Sequence, residues 1–485
     1  MTITELQQRY AAHPNTAVME RLLKDVSVQT IFCGGLCASS ASLFSSVLVK
    51  QDVCPFVFVL GDLEEAGYFY HDLTQILGTE KVLFFPSSFR RSIKYGQKDA
   101  ANEILRTEVL SRLQKGEEGL CIVTYPDALA EKVVSRKELS DKTLKLNVGE
   151  KLDTTFITDV LHSYGFEYVD YVYEPGQYAV RGSIIDVFSF ASEYPYRIDF
   201  FGDEVESIRT FEVESQLSRE KKAGVAIVPD LAVTGEVTTS FLDFIPKETI
   251  LAMRDFLWLR ERIQVVHDEA LTPQAIAVQE AEENGGITLE GKLIDGSEFT
   301  VRALDFRRME FGNKPTGTPD ASITFSTAVQ PIFHKNFDLV AGSFKDYLEQ
   351  GYSLYICSDS TKQTDRIKAI FEDRGDKIQF TPVERTIHEG FVDHTLHLCV
   401  FTDHQLFDRF HKYNLKSDKA RSGKVALSLK ELNQFTPGDY VVHTDHGIGR
   451  FSGLVRIPNG DTTQEVLKLV FQNEDVVFVS IHSLH

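Results

Sequence analysis

The chain of 485 residues is too long for a single hydrophobic core, so we expect roughly three to five domains. Its 51 basic and 71 acidic residues give a net charge of −20, which opposes broad electrostatic docking on DNA and favours protein partners. No apolar run approaches the ~18 to 20 residues of a membrane span, and the N-terminus lacks a basic region followed by an apolar core. The sequence therefore predicts a cytoplasmic protein with no membrane partner.

The first half of the chain is predicted to contain an α/β domain with an insert. Residues 1–150 alternate short apolar strands, such as PFVFVLG and LCIVTY, with helical stretches, a pattern typical of a parallel sheet covered by helices. From 151 to 210, strand-like runs are separated by Pro-Gly and by Gly202-Asp203, which predicts antiparallel strands in a β-rich insert. Residues 211–334 then mix helix with strand-like pieces.

The second half is predicted to contain two smaller units. Residues 335–410 repeat the alternation of helix and strand and predict a small α/β domain of no evident role. Residues 411–435 are rich in Lys, Ser and Asn at their start, which favours a linker. Residues 436–485 carry short strands separated by DHGIG, PNGD and QNED, which predicts a small barrel or sheet. The expected fold class is thus a multidomain α/β protein with a C-terminal β module.

The segment IFCGGLCASSASLFSS, residues 31–46, follows a β-branched run and precedes a helical one, where a phosphate-binding loop would lie. A P-loop reads G-x-x-x-x-G-K-[ST], and its lysine reaches the terminal phosphates while its hydroxyl binds magnesium. Here Gly35 and Ser42 remain, whereas Ser40 replaces the second glycine and Ala41 replaces the lysine. From spacing alone, an unrelated turn of small residues is the better interpretation. In either case we expect no ATP hydrolysis and no cofactor.

Two long motifs resemble known families. YVDYVYEPGQYAVRGSIIDVFSF followed by YRIDFFGDEVESIRTF resembles the second domain of UvrB-type repair proteins, and more closely its counterpart in the transcription-repair coupling factor (Mfd) family. TPGDYVVHTDHGIGRFSGL resembles the RNA polymerase-interacting domain of that family, which is related to CarD-type modules. The resemblance covers essentially the whole chain, although residues 211–420 match in layout rather than in distinctive motifs. Both motifs in this order favour the coupling-factor family.

The resemblance implies a specific division of the chain. Residues 1–150 and 211–334 would form a UvrB-like, RecA-type domain (1a and 1b) with a degenerate P-loop, and 151–210 would be the UvrA-binding domain 2. Residues 436–485 would be a Tudor- or SH3-like barrel of the CarD family that binds RNA polymerase. The degenerate loop would then be the remnant of an ancestral nucleotide site.

Members of the family continue into two motor domains, which make the full-length proteins ATP-dependent DNA translocases of the helicase superfamily. The present sequence stops where the polymerase-interacting module ends, so we expect an N-terminal fragment without enzymatic activity. ATP, magnesium and DNA binding are expected only in the motor domains. The fragment would dock on the β subunit of stalled RNA polymerase and recruit UvrA to start transcription-coupled nucleotide excision repair. The alternative is a UvrB-like DNA-repair ATPase, which the substitution at Ala41 disfavours.

For UvrA, the resemblance assigns binding to Arg181, Arg197 and Phe201. Independently, a planar guanidinium can bind a carboxylate through two hydrogen bonds, and arginine and aromatic residues are enriched at interface hot spots. The alternative is a surface arginine pair that forms ion pairs with nearby acidic residues, with Phe201 in the core and Phe200 exposed instead. The acidic residues considered are Asp199, Asp203 and Glu204.

For RNA polymerase, the candidate is the strand that contains Phe451, Val455, Arg456 and Ile457, because an edge strand offers unpaired backbone groups to a partner strand. Ile457 matches an apolar contact position of the family. The alternative is that Ile457 belongs to the core, since Phe451, Gly453, Val455 and Ile457 would share one face of a regular strand.

No metal site is expected. Cys33 and Cys37 lie close together, but no second pair or nearby histidine completes a zinc site. Three Asp-His pairs, at 393–394, 403–404 and 445–446, fall on different segments, and we expect them to form turns and helix caps.

Overall fold

The computed structural model describes residues 1–88, 100–213, 215–231, 237–270, 291–411, 413, 415, 438–443, 447–459, 462–471 and 476–480. The chain divides into two compact units. Unit 1 comprises residues 1–144 and 226–415, and unit 2 comprises residues 145–225 and 416–485.

The described helices are α1 (Ile3–Ala11), α2 (Pro14–Lys24), α3 (Ser40–Gln51), α4 (Leu63–Leu77), α5 (Ala100–Gln114), α6 (Pro126–Ala130), α7 (Arg136–Asp141), α8 (Thr154–Ser163), α9 (Phe256–Ala270), α10 (Gly296–Ala303), α11 (Phe337–Glu349), α12 (Thr361–Asp373) and α13 (Asp403–Leu406), with a 3₁₀ turn at Phe241–Asp243. The described strands are β1 (Thr30–Gly34), β2 (Phe56–Val59), β3 (Val82–Phe85), β4 (Cys121–Thr124), β5 (Val133–Val134), β6 (Leu144–Asn147), β7 (Glu167–Tyr168), β8 (Gln177–Arg181), β9 (Ile184–Val187), β10 (Tyr196–Phe201), β11 (Glu204–Phe211), β12 (Ser218–Lys222), β13 (Gly224–Ile227), β14 (Val237–Thr239), β15 (Ile250–Met253), β16 (Arg307–Gly312), β17 (Ala321–Thr324), β18 (Thr327–Val329), β19 (Ser353–Ser358), β20 (Thr381–Glu384), β21 (Phe391–Asp393), β22 (Leu398–Thr402), β23 (Tyr440–His443), β24 (Gly447–Asn459), β25 (Thr462–Val470) and β26 (Val476–Ser480).

The larger sheet of unit 1 has seven parallel strands in the order β17-β1-β16-β15-β2-β4-β3. Strands β2, β3 and β4 are buried along their whole length, as expected for a parallel sheet covered on both faces. The alternation of strand and helix therefore predicted this part of the fold class. The sheet is completed by β15, β16 and β17, which lie in the range 226–324, and β1 is inserted between β16 and β17.

A second sheet of unit 1 has the order β18-β21-β22-β19-β20, with β19 parallel to both β20 and β22. Its core holds Phe344 from α11, Phe371 from α12 and Phe401 from β22, all at most 1% exposed. β18 lies before residue 335, so this small α/β domain begins earlier than the hydrophobic pattern suggested. The stretch that contains β18 was expected to be strand-like, but it was assigned to residues 211–334, because a hydrophobic pattern does not show which sheet a strand joins.

The N-terminus joins the edge of this second sheet. Thr2 forms an isolated parallel bridge with Glu384, whose backbone N–H donates to the carbonyl of Met1 at 2.9 Å. The Tyr10 hydroxyl, on α1, donates to the buried carboxylate of Asp393 at 2.8 Å. Both contacts connect the first ten residues of the chain with residues more than 380 positions away.

Unit 2 contains a six-stranded sheet in the order β12-β11-β10-β9-β8-β7, antiparallel except for the parallel pair β7–β8. The tight turns at Gly182 and Gly202 have φ of +62° and +65°, which glycine adopts without strain. Of the two hairpins expected between residues 151 and 210, the pair β10–β11 at Gly202-Asp203 is confirmed. The hairpin expected at Pro175-Gly176 is wrong, because β7 and β8 on either side of it are parallel, and the turn at Gly182 that joins β8 to β9 was not predicted.

The C-terminal strands of unit 2 form a separate antiparallel sheet in the order β23-β24-β25-β26. This agrees with the small β module expected from the turn chemistry. Its closure into a Tudor- or SH3-like barrel stays a prediction.

The predicted linker begins later than its composition suggests. His411, Tyr413 and Leu415 pack on unit 1, where the ring of Tyr413 lies edge-on to Tyr68 of α4 at a centroid distance of 4.9 Å. The rest of the range predicted as a linker lies outside the described residues.

Replacing Phe344 by Ala should lower the free energy of unfolding of unit 1 by about 3 to 5 kcal/mol, because it leaves a cavity in the core of the second sheet. Urea unfolding followed by the fluorescence of Trp258, the single tryptophan of the chain, measures this change within unit 1. Phe410, which is 82% exposed, supplies the control. Phe410→Ala should change the same quantity by less than about 0.5 kcal/mol, and equal effects of both substitutions would contradict the assigned core.

Candidate docking sites and the degenerate loop

The degenerate loop is a tight turn between β1 and α3. Gly35 has φ of +84°, and a Cβ atom at this position would lie 2.0 Å from the carbonyl oxygen of Phe325. The Phe325 N–H donates to the carbonyl of Gly34 at 2.8 Å, so the two backbones are in direct contact. The glycine is required here by the close approach of a neighbouring segment, a requirement that needs no bound phosphate.

The loop hydroxyls are engaged within the protein. Ser42 donates to the carbonyl of Ser39 at 3.0 Å and to the carboxylate of Asp72 at 2.6 Å. Ser40 donates to the carbonyl of Cys37 and accepts from its N–H at 3.0 Å. Ala41 supplies no charge. The four positions singled out in the loop therefore form a packed turn whose polar groups have protein partners.

The second sheet of unit 1 closes over this turn. The backbone N–H of Glu389 donates to the Ser39 hydroxyl at 2.9 Å, and the N–H of His388 donates to the carboxylate of Asp72 at 2.7 Å. The His388 ring stacks on Tyr68 of α4 with a centroid distance of 3.5 Å. Sequence reasoning missed these contacts because they join residues 316 and 350 positions apart.

A cavity of about 370 Å³ lies beside the turn and is rich in carboxylates. Among the lining residues that the structure describes, the single basic side chain is Arg254, and it forms an ion pair with Glu65 at 2.5 Å. Burial raises the pKa of Asp72 to about 6, partly offset by hydrogen bonds from Ser39 and Ser42. The acidic lining residues are Asp62, Glu64, Glu65, Asp72 and Glu389. The cavity thus presents negative charge where a nucleotide would place its phosphates.

In unit 2, Arg181 and Arg197 meet at one buried carboxylate. Arg197 donates to both oxygens of Asp186, at 2.8 and 2.9 Å, and its guanidinium lies 4.4 Å from the ring centre of Phe211. Arg181 forms an ion pair with the same carboxylate and lies 5.0 Å from the ring centre of Tyr171. The side chain of Arg181 is 35% exposed and that of Arg197 is 14% exposed.

The acidic partner differs from those that the sequence suggested. Asp186 lies directly opposite Arg197 in the β9–β10 register, whereas Asp199 pairs with Arg209 of β11. Strand register could have identified Asp186, but register is not visible in an unaligned sequence. The two arginines are therefore held by a common buried anion, with Arg181 the more accessible of the two.

Phe201 is the exposed member of the phenylalanine pair. It is 79% exposed at the end of β10, whereas Phe200 is 4% exposed. The register of β10 against β11 shifts between Asp199 and Phe200, and such an irregularity changes which side chain faces the core. The choice between Phe200 and Phe201, which the sequence left open, is settled in favour of Phe201 as the exposed residue.

In the C-terminal sheet, β24 changes its neighbour along its length. Residues 447–450 pair with β23, and residues 450, 451 and 454–459 pair with β25, where Ile457 lies opposite Gln464. Within the described part of this sheet, residues 454–459 have a strand on one side only. Phe451 is 4% exposed and belongs to the packed interior of the sheet.

The side chains of Arg456 and Ile457 lie outside the described residues, and Val455 is half-buried. The side-chain roles proposed for the first two therefore stay predictions.

Across the described ranges, no group of three or more His, Cys, Asp or Glu side chains is arranged to hold a metal ion. Asp393 accepts from the N–H groups of Thr395 and Leu396, which is the turn role expected for the first Asp-His pair. The second pair differs, because His404 packs among other aromatic and imidazole rings. The third pair, at 445–446, lies outside the described residues.

None of the described helices is both long enough and apolar enough to cross a membrane.

Comparison with known proteins identifies two domains. The family model described as UvrB interaction domain matches residues 144–232, which include the six-stranded sheet. The family model described as CarD-like/TRCF RID domain matches residues 435–485, which include the C-terminal sheet.

The chain is also similar to curated proteins along most of its length. It is 22% identical to the transcription-repair-coupling factor of Staphylococcus aureus (strain bovine RF122 / ET3-1) and 22% identical to that of Bacillus subtilis (strain 168). Each alignment covers 93% of this chain and 44% of the relative, so the chain spans less than half the length of these relatives. With a UvrB interaction domain and a CarD-like/TRCF RID domain on one polypeptide, the chain is a relative of the transcription-repair-coupling factors.

Proposed function

We propose that the chain is a protein-docking platform that connects a stalled RNA polymerase with UvrA and has no nucleotide-driven activity of its own. The observation that carries this proposal is the presence of both interaction domains on a chain that is similar to transcription-repair-coupling factors over 93% of its length. The C-terminal sheet would bind the β subunit of the polymerase. The six-stranded sheet would recruit UvrA and so start transcription-coupled nucleotide excision repair.

The geometry of the six-stranded sheet supports a protein interface at one of its ends. Arg181 on β8 and Asp199 on β10 both lie opposite Ile184 of β9, so Arg181 and the neighbouring Phe201 lie at the same end of the sheet. An exposed phenylalanine and a partly exposed guanidinium at one end of a sheet are residue types enriched at interface hot spots. Asp186 orients the guanidinium from beneath, which reduces the side-chain entropy that binding would otherwise cost.

Phe201→Ala and Arg181→Ala should each weaken UvrA binding by about 1 to 3 kcal/mol, which corresponds to roughly 5- to 150-fold in Kd. Isothermal titration calorimetry on variants with an unchanged far-UV CD spectrum measures the effect. Arg219→Ala serves as the matched control, because Arg219 is an exposed arginine on the edge strand β12 of the same sheet. Folded Phe201 and Arg181 variants that bind UvrA as tightly as the control would contradict this surface.

Residues 454–459, which have a strand on one side only within the described part of the sheet, support strand addition as the mode of polymerase binding. Main-chain pairing supplies affinity in such complexes, and alternate side chains supply specificity. Between Pro437 and the C-terminus the sequence has three basic and six acidic residues, which favours a protein partner over DNA for this module.

Ile457→Arg should abolish binding of the chain to the polymerase β subunit, because it would bring an unpaired charge into an apolar contact. A pull-down with the purified β subunit measures this, and circular dichroism checks the fold. Ile448→Arg is the control, since Ile448 is exposed on the part of the same strand that pairs with β23. A folded Ile457→Arg variant that still binds would place the docking edge elsewhere, and an unfolded one would place Ile457 in the core.

The alternative function, a UvrB-like ATPase, is opposed by the charge of the cavity beside the loop. A nucleotide would bring several negative charges against Glu64, Glu389 and the partly ionised Asp72, and the described lining of the cavity contains no lysine to balance them. We therefore infer that the chain needs neither ATP nor magnesium.

Phosphate release from ATP should stay at background, with or without DNA, in a colorimetric assay with magnesium present. Ala41→Lys should not raise it, since the lysine would meet the carboxylates of the cavity rather than phosphate. Magnesium-dependent turnover that disappears on Ser42→Ala substitution would establish the ATPase instead.

A further inference from the structure

Four histidines from distant parts of the sequence meet beside α4. His404 and His411 stack with a centroid distance of 4.4 Å and an interplanar angle of 16°. His71 lies 5.2 Å from His411, and His388 lies 6.1 Å from it. Neither the proposed docking surfaces nor the loop uses these rings, and their spacing along the sequence gave no sign that they meet.

The cluster fixes the last packed residues of unit 1, namely 411, 413 and 415, which we call the strap. The Tyr68 hydroxyl donates to the carbonyl of His411 at 2.6 Å. The ring of Tyr413 covers Gly67, where a Cβ atom would lie 2.5 Å from the ring. Leu415 is buried. Beyond the strap the chain continues toward the C-terminal sheet, so the strap sets where that connection starts.

The imidazoles are suited to packing only while they are neutral. In the described part of the chain, His71 Nε2, His388 Nδ1 and His411 Nε2 are buried without a hydrogen-bond partner. Burial, together with the neighbouring imidazoles, lowers the pKa of His71 and of His388 to about 4. Burial also lowers the pKa of His404 and of His411. A proton added to His71 would therefore place a buried cation beside His411. His388 is less enclosed, because its side chain is 31% exposed and its Nε2 lies 3.9 Å from the carboxylate of Glu389.

Acidic groups around the cluster modify this balance. Asp359 and Asp403 favour the protonated form of His411 but do not outweigh burial. Asp72 on α4 has a raised pKa while it is buried, so it takes up a proton more readily when the strap is packed on α4. Its effect on the stability of this packing at low pH is therefore opposite to that of the histidines. The charged groups that face the cluster are Glu64 and Asp72 on α4, Asp359 before α12, Glu389 beside His388, Asp403 on α13, and Arg409 before the strap.

We propose that the four histidines form a proton-sensitive latch, which holds the strap against α4 while they are neutral and releases it when they are protonated. Release would uncover Tyr68 and Gly67, which the strap covers while it is closed. The latch does not involve the proposed docking partners, so it can be tested on the chain alone.

The direction of the pH dependence follows from proton uptake. The pKa of His71 and of His388 is about 4 with the strap closed and returns toward 6.5 when it opens, so the open form binds more protons between these values. The closed strap is fully stable above about pH 6.5 and loses stability as the pH falls toward 4. Asp72, whose pKa rises to about 6, stabilises the closed form below that pH and offsets part of the loss.

Hydrogen–deuterium exchange of the 485-residue chain at pH 7.5 and pH 5.0 tests the latch. After correction for intrinsic exchange, opening of peptides that span residues 409–415 should increase roughly 10- to 100-fold at the lower pH. The double variant His71→Gln, His388→Gln should lose most of this increase. The control His162→Gln, at an exposed histidine of α8, should retain it in full. An increase that is absent in the wild type, or unchanged in the double variant, would overturn the proposal.

A measurement on the wild type keeps the proposal testable if the double variant does not fold. With histidines labelled at ¹³Cε1, NMR titration should show resonances that stay neutral below pH 5.5 and shift only as the strap peptides begin to exchange. If every histidine of the folded chain titrates near pH 6.5, the latch does not exist.

Discussion

A buried carboxylate joins the parts of unit 1 that surround the degenerate loop. Asp72 lies on α4, accepts a hydroxyl hydrogen bond from Ser42 of α3, and accepts a backbone hydrogen bond from His388 of the second sheet. These are the kinds of donor, a serine hydroxyl and a main-chain amide, that a phosphate-binding loop offers to a nucleotide. The chain thus supplies an anion of its own beside the turn. The loop hydroxyl and the second sheet therefore both contact that single side chain.

Unit 2 also contains a buried carboxylate that accepts several hydrogen bonds, but there it positions cationic side chains near the surface. Asp186 is fully buried and holds two guanidinium groups, and the sheet leaves the more exposed of them, Arg181, at the end that also carries Phe201. In unit 1 the buried carboxylate accepts hydrogen bonds from the loop serine and from a backbone amide. In unit 2 it fixes the position of a cation at the surface. The difference lies in what surrounds each carboxylate: other acids near Asp72, and arginines beside Asp186.

Local chemistry made the elements of this fold predictable, whereas long-range contacts did not. The parallel strands near the N-terminus follow from continuous apolar runs, and the hairpin β10–β11 of unit 2 follows from the glycine at its turn. Phe200 and Phe201 could not be separated because the outcome depends on a shift in strand register. The contact of His388 and Glu389 with the loop could not be predicted for another reason. The residues of neither segment indicate that the other segment lies next to it. The two family resemblances were readable because each rests on a contiguous motif.

The predicted linker and the second Asp-His pair show the same limit. A segment rich in lysine, serine and asparagine indicates solvent exposure, yet its first residues, His411 and Tyr413, pack on α4. Asp403 and His404 suggested a helix cap, and Thr402 performs that role instead, while His404 joins His411, His388 and the distant His71. Composition describes the average environment of a segment, and single aromatic side chains can depart from it.

The bridge between Thr2 and Glu384 has a consequence for biosynthesis. At the usual ribosomal rate of about 5 to 20 residues per second, roughly 20 to 80 s separate the appearance of these two residues. During that interval α1 has no partner at the second sheet, and β1 lacks both of its neighbours, β16 and β17. The apolar edge of β1 is therefore exposed on the nascent chain until some 300 further residues have been added, as its partners begin at Arg307 and Ala321. Unit 1 must complete its folding late in translation, and a nascent chain of this kind is a natural client for chaperones that shield open sheet edges.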